Sequence, residues 1–169
     1  GASTLIVQAR PNKNEQRGLL THEASHVLDL GCLTGTPESG ESSFKDGNVV
    51  MYQNDPSVSF YSINWLTENI QKKETKAADF VTGYAKSNVF EDMAESVTYY
   101  VYAQEAFRAR ALRNKALAAK LTWIETYVFP SGVTVAEGKK WNGVIPWDAT
   151  KLGYTWTSGG EAVALKDNN

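Results

Sequence analysis

The chain contains two histidines, and both fall in the run His22-Glu23-Ala24-Ser25-His26. The pattern is H-E-x-x-H. On a helix, residues four apart sit about 40° apart in angle and about 6 Å apart along the axis. Both imidazoles then face one side and can hold one metal ion, with zinc the best-suited metal. Glu23 lies beside them, placed to accept a proton as a zinc-activated water attacks a carbonyl. Leu19, Leu20, Val27, Leu28 and Leu30 flank the motif and predict a buried helix. Two buried imidazoles without partners would be costly, which favours a metal between them. A catalytic zinc takes three protein ligands and keeps one position open. The extended pattern H-E-x-x-H-x-x-G-x-x-H is excluded, because Asp29 and Cys32 stand where its Gly and third His would be. Ligation by Cys32 would need a sharp turn at Asp29, so Cys32 reads as a small buried or half-exposed thiol. The third ligand is expected to be a carboxylate elsewhere.

Glu91-Asp92-Met93-Ala94-Glu95 opens the longest helical stretch of the chain. Glu91 and Glu95, at i and i+4, share one face, and Met93, Val97, Tyr100 and Val101 form an apolar face. A helix with both stripes can meet the histidine helix and supply one ligand, Glu91, and one acceptor for an imidazole N–H, Glu95. Spacing alone leaves a second reading open, in which both are carboxylates favoured near a helix N-terminus by the dipole.

The segment Thr82-Gly83-Tyr84-Ala85-Lys86-Ser87-Asn88-Val89-Phe90-Glu91-Asp92-Met93-Ala94-Glu95 resembles the second signature of the anthrax lethal factor type of zinc metallopeptidase. The secreted clostridial Pro-Pro endopeptidases are similar. In that family a Tyr-Gly/Ala-x-x-Asn segment leads into Glu-x-Phe-Ala-Glu; Met93 stands here in place of the Phe. The first motif fits as well, since Asp29 follows the second His by three residues. The resemblance covers residues 19–30 and 80–100. It implies a gluzincin zinc endopeptidase with His22, His26 and Glu91 as zinc ligands and Glu23 as general base. It further implies that Tyr84 stabilises the oxyanion, that Asp29 and Glu95 support the ligands, and that the protein is secreted. The stretch from His26 to Glu91 is longer than the resemblance leads one to expect, which implies an inserted helix or loop. Few residues precede His22, so Thr4–Ala9 is the one strand expected there; either residues 49–62 complete a small sheet or the chain is a fragment.

The elements that must carry these residues read as follows. Thr4–Ala9 is β-branched and apolar and predicts a strand. Residues 10–18 read as a loop, and Leu19–Leu30 as a helix with Gly31 at its end. Residues 31–48, rich in Gly and Ser, read as a surface loop. Val49–Tyr52 predicts a short strand. Residues 57–73 predict a helix whose apolar set is Phe60, Ile63, Trp65, Leu66 and Ile70. Residues 91–127 predict two helices or one bent one, lacking Gly and Pro. Arg108, Arg110, Arg113, Lys115 and Lys120 read as the solvated face of that region. After Phe129 an irregular tail is expected, with Trp141, Trp147, Tyr154 and Trp156 packing it onto the domain.

No internal repeat or linker divides the sequence, so one domain over residues 1–169 is expected, mainly helical α+β with a zincin-like active-site helix and a small sheet. The 17 basic and 19 acidic residues give a net charge of -2, which argues against a general nucleic-acid binder. No apolar run is long enough for a membrane span. Residues 1–20 lack the pattern of a signal peptide, which leaves a cytosolic protein or a mature secreted form. The expected partner is a peptide or protein substrate; the oligomeric state is not legible. The rival expectation is a zinc-containing binding or accessory domain of a larger secreted protein, without turnover.

Overall fold

In the computed structural model the described residues are 13–131 together with two short strands, Tyr154–Trp156 and Ala162–Ala164. The predicted strand Thr4–Ala9 and the residues Trp141 and Trp147 lie outside them. The fold is α+β and mainly helical. In chain order the elements are α1 (Lys13–Gly31), β1 (Glu41–Asp46), β2 (Val49–Tyr52), α2 (Pro56–Tyr61), β3 (Trp65–Thr67), β4 (Ile70–Gln71), α3 (Val89–Ala111), α4 (Lys115–Tyr127), β5 (Tyr154–Trp156) and β6 (Ala162–Ala164). Short 3-10 turns at Pro37–Ser39, Ala77–Asp79 and Tyr84–Lys86 join them. The strands form antiparallel pairs, β1 with β2, β3 with β4 and β5 with β6.

Helix α1 starts six residues before the predicted Leu19, within the stretch read as a loop. Lys, Glu, Gln and Arg in that stretch are good helix formers, and Pro11 precedes the helix rather than interrupting it. Its end is as expected: the Leu28 carbonyl accepts from both the Cys32 and Leu33 amides at 3.0 Å, closing the last turn. Cys32 beyond it is exposed. The orientation of α1 reverses the expected amphipathicity. His22, Ser25 and Asp29 are buried, whereas Leu20, Val27 and Leu30 are exposed. The polar stripe faces α3, Leu19 and Leu28 are half-buried, and Leu20, Val27 and Leu30 face outward.

Residues 31–48 are not simply a loop, because Glu41–Asp46 pairs with Val49–Tyr52. The strand buries Phe44 alone, so its composition carries little strand propensity and pairing decides its conformation. Gly47 makes the hairpin turn at φ 58°, a region glycine enters at no steric cost. The helix expected over residues 57–73 stops at Tyr61. Asp55 caps its start by accepting from the Ser57 amide at 2.9 Å, with Pro56 in the first turn. The rest forms the β3–β4 hairpin, where Leu66 and Ile70 are exposed and their helical spacing is coincidental.

Helix α3 is the centre of the molecule, packed by α1 on one side and α4 on another. Asp92 through Tyr100 are all buried, as befits a helix covered on every face. Met93, Val97 and Tyr100 pack into the apolar core as predicted. The bend foreseen in residues 91–127 appears twice: as a non-helical Ala103 inside α3, and as the break between α3 and α4. Lys120 departs from the solvated basic face. Its side chain is fully buried, and its ammonium donates to both oxygens of Asp92 at 2.8 Å and to the Asp79 carbonyl at 2.9 Å. Trp65 Nε1 donates to the same carboxylate at 2.9 Å. Burial pushes Asp92 up and Lys120 down, each against the pull of the other's charge. Arg110 also leaves the solvated face, donating to the Val81 and Phe80 carbonyls, while exposed Arg108 pairs with Glu125. The C-terminal tail is not wholly irregular, since Tyr154–Trp156 pairs with Ala162–Ala164.

Candidate metal centre

Two helix geometries converge on one point. The i, i+4 spacing on α1 turns His22 and His26 to α3, with ring centroids 4.8 Å apart and planes 81° apart. Asn88 caps α3, its side-chain oxygen accepting from the Phe90 and Glu91 amides at 3.0 Å each. Glu91 is thereby fixed in the first turn, where the helix dipole favours its charged form. His22 Nε2 lies 2.9 Å from Glu91 Oε2, His26 Nε2 lies 3.1 Å from His22 Nε2, and His26 Nε2 lies 3.5 Å from Glu91 Oε2.

These three atoms fit a metal ion. The nearest point equidistant from all three, in their plane, lies about 1.8 Å from each, so points at the 2.0–2.1 Å typical of zinc bonds to nitrogen and carboxylate oxygen lie just off that plane. The donor set has the same meaning chemically. A carboxylate oxygen and two ring nitrogens present lone pairs to one place, which is unfavourable unless a cation or proton occupies it. Burial alone would lower the His22 pKa, but hydrogen bonds to Glu91 and Glu95 and their charges outweigh it and raise His22 to about 9. Burial pushes Glu91 up, and the imidazoles beside it reverse this and bring it down to about 2. The site is thus arranged for positive charge. Among the described residues, His22, His26 and Glu91 form the group of potential ligands that could hold a metal ion.

The supporting residues sit one step further out. Glu95 is fully buried, and its Oε1 lies 2.8 Å from His22 Nδ1. A carboxylate only accepts, so this contact assigns a proton to Nδ1 and leaves Nε2 as the atom that could ligate a metal. The other Glu95 oxygen accepts from the Thr82 hydroxyl at 2.5 Å, and that hydroxyl accepts from the Ala85 amide at 3.1 Å. Asp29 is fully buried one turn after His26, and Tyr61 donates its hydroxyl to both Asp29 oxygens at 2.6 Å. Burial raises Asp29 to about 6, opposed by hydrogen bonds from Ser57 and Tyr61 and by the charge of His26.

Tyr84 stands on the 3-10 turn ahead of α3, its ring centroid 5.9 Å from that of His22. Burial, then the charges of Glu91, Glu95 and Glu23, push its phenol well above the usual range. It therefore stays protonated and able to donate. Glu23 is half-buried on α1, close enough for its charge to bear on that phenol. All seven residues named from the sequence belong to this neighbourhood, though Asp29 is tied first to Tyr61. Sequence reasoning missed Tyr61, Thr82 and the cap Asn88. The cap had a local signal, an Asn three residues before Glu at a helix start. Tyr61 had none, being 32 residues from its partner.

A scan against protein-family models, a search of curated proteins and a search of solved structures each return no match for this chain.

Proposed function

We propose that the chain is a zinc-dependent endopeptidase of the gluzincin kind, akin to the anthrax lethal factor and clostridial Pro-Pro endopeptidase family. The observation that carries this reading is the convergence of His22 Nε2, His26 Nε2 and Glu91 Oε2, each pair within 3.5 Å. Three protein ligands leave one position for water or substrate. The inverted α1 supports it: a helix that buries His22 and Asp29 while exposing Leu20 and Val27 gives up apolar burial to build a polar site.

Zinc, when bound, supplies Lewis acidity that makes water a nucleophile near neutral pH and polarises a carbonyl. The chain's own residues do the rest. Glu23 accepts a proton from the attacking water and delivers it to the leaving amine as the peptide C–N bond breaks. The products are a carboxylic acid and an amine, so one water is consumed per bond. Tyr84, held in its protonated form, donates to the oxygen that becomes negative in the tetrahedral transition state. Glu95 holds His22 in the ligating tautomer. The substrate is a peptide or protein, and secretion follows from the same resemblance.

The test is cleavage of a peptide library by the purified protein, with Glu23→Gln and a chelator as paired controls. Cleavage by the wild type, lost in both controls while Glu23→Gln keeps its zinc, is the expected result. A folded, zinc-loaded wild type that cleaves nothing overturns the peptidase reading in favour of a zinc-containing binding domain.

A further inference from the structure

We propose that Thr82 is a positioning residue whose single hydroxyl holds the metal-facing orientation of His22 and the placement of Tyr84 together. The inference rests on the metal-centre reading and deepens it. Thr82 is 8% exposed and lies in the segment ahead of α3, on neither of the helices that supply the ligands. Its Oγ1 is 2.5 Å from Glu95 Oε2 and 3.1 Å from the Ala85 amide nitrogen.

The polarity of both bonds is fixed by chemistry. An ionised carboxylate can only accept, and a backbone N–H can only donate. The hydroxyl proton therefore points at Glu95, and the hydroxyl lone pair takes the Ala85 proton. The result is a directed chain from the Ala85 amide through Thr82 to Glu95, whose other oxygen accepts from His22 Nδ1 at 2.8 Å. Such a chain is stronger for being buried and for ending on a charge.

Two consequences meet at this hydroxyl. Toward α1, Thr82 sets the rotation of the Glu95 carboxylate and through it the direction of the His22 ring. Toward the turn, it pins the Ala85 amide next to Tyr84, and the Tyr84 carbonyl is itself bonded to the Ser87 amide at 2.9 Å. Both anchors lie on the one peptide group that joins Tyr84 to Ala85, so the backbone plane immediately after Tyr84 is fixed. Ala85 is fully buried, so the turn cannot shift outward without exposing it. Carboxylates that orient ligating imidazoles are worth about 10- to 100-fold in metal affinity, and Thr82 acts through such a carboxylate.

The experiment measures zinc affinity of the metal-free protein by competition with a chromophoric chelator, for the wild type, Thr82→Val, Thr82→Ser and Thr98→Val. Valine keeps the shape of threonine and removes the hydroxyl; serine keeps the hydroxyl. Thr98 is a fully buried threonine on α3 whose hydroxyl has no bonding partner among the described residues, so its valine variant controls for the loss of a buried hydroxyl as such. Thr82→Val is expected to bind zinc about 10-fold more weakly. Thr82→Ser and Thr98→Val should stay within about twofold of the wild type. Thr82→Val with wild-type affinity, or Thr82→Ser as weak as Thr82→Val, overturns the inference. If Thr82→Val does not fold, the wild-type protein decides by proton NMR. A slowly exchanging Thr82 hydroxyl proton supports the inference, and a rapidly exchanging one overturns it. A wild type that fails to bind zinc overturns the metal centre itself, an outcome distinct from both.

Discussion

Lys120→Met should be among the most destabilising single changes in the protein. The ammonium is fully buried and contacts both Asp92 oxygens at 2.8 Å, and the carboxylate is fully buried too. Methionine fills the stem of the lysine but leaves Asp92 charged, with Trp65 Nε1 at 2.9 Å as its main remaining donor. Removing one partner of a buried pair costs about 3–5 kcal/mol. That is a large share of the roughly 5–15 kcal/mol by which domains are stable. With a urea slope near 2 kcal/mol per molar, the unfolding midpoint should fall by about 2 M. Adding Asp92→Asn removes the stranded charge while keeping an acceptor for Trp65, so the double variant should recover roughly 2 kcal/mol. The deficit of Lys120→Met should also narrow in acid. Burial already raises Asp92, and without the ammonium it rises further above its unfolded value. A carboxyl with a raised folded pKa gains stability as the pH falls through that pKa. Urea titrations at neutral and mildly acidic pH measure all three effects. A Lys120→Met midpoint within about 0.3 M of the wild type would refute the reasoning, as would a double variant no more stable than the single one.

Metal affinity should depend steeply on pH. Against the effect of burial, Glu91 and Glu95 hold the His22 imidazole up at about 9, so below that value an incoming ion must displace a proton. Apparent affinity should rise about 50-fold from pH 7 to pH 9, with close to one proton released per ion at pH 7; equal affinities at the two pH values in chelator competition would contradict it. Tyr61→Phe removes the hydroxyl that donates to both oxygens of buried Asp29. The loss of a hydrogen bond to a charged group should cost about 1.5–3 kcal/mol in urea denaturation, and a cost below about 0.5 kcal/mol would show that Asp29 is held by other means.

The legible part of the site follows from helix geometry. Metal chemistry needs two imidazoles on one face, and four-residue spacing on a helix supplies it, so His22 and His26 could be read without knowing what surrounds them. Glu91 and Glu95 were legible as a pair for the same reason, Glu91 as ligand and Glu95 as support, but spacing alone left open that both were simply carboxylates at a helix N-terminus. What could not be read depends on partners remote in sequence. Residues 41–52 and 65–71 formed hairpins because strand pairing overrides weak local preference, as Phe44, the one buried residue of β1, illustrates. Lys120 looked like one more cation in a basic run. Only α3, lying across from it, supplies the carboxylate that makes its burial possible, 28 residues earlier in the chain.

These remote partners bear on the placement of the candidate metal ligands. The buried stretch of α3 contains Asp92, Glu95, Ser96 and Thr98, an unusual density of polar groups for a central helix. An apolar helix surface can slide or rotate by small amounts at little cost, because dispersion is non-directional. Directed bonds cannot. Asp92 is tied to α4 by Lys120 and to β3 by Trp65, while Glu95 is tied to α1 by His22 and to the preceding turn by Thr82. Glu91 lies on the same helix next to Asp92 and one turn before Glu95. Rotation of α3 would stretch bonds to four separate elements at once before it moved Glu91 away from the imidazoles. The cost of burying these groups is therefore offset in precision, which is what a three-ligand centre with distances near 3 Å demands.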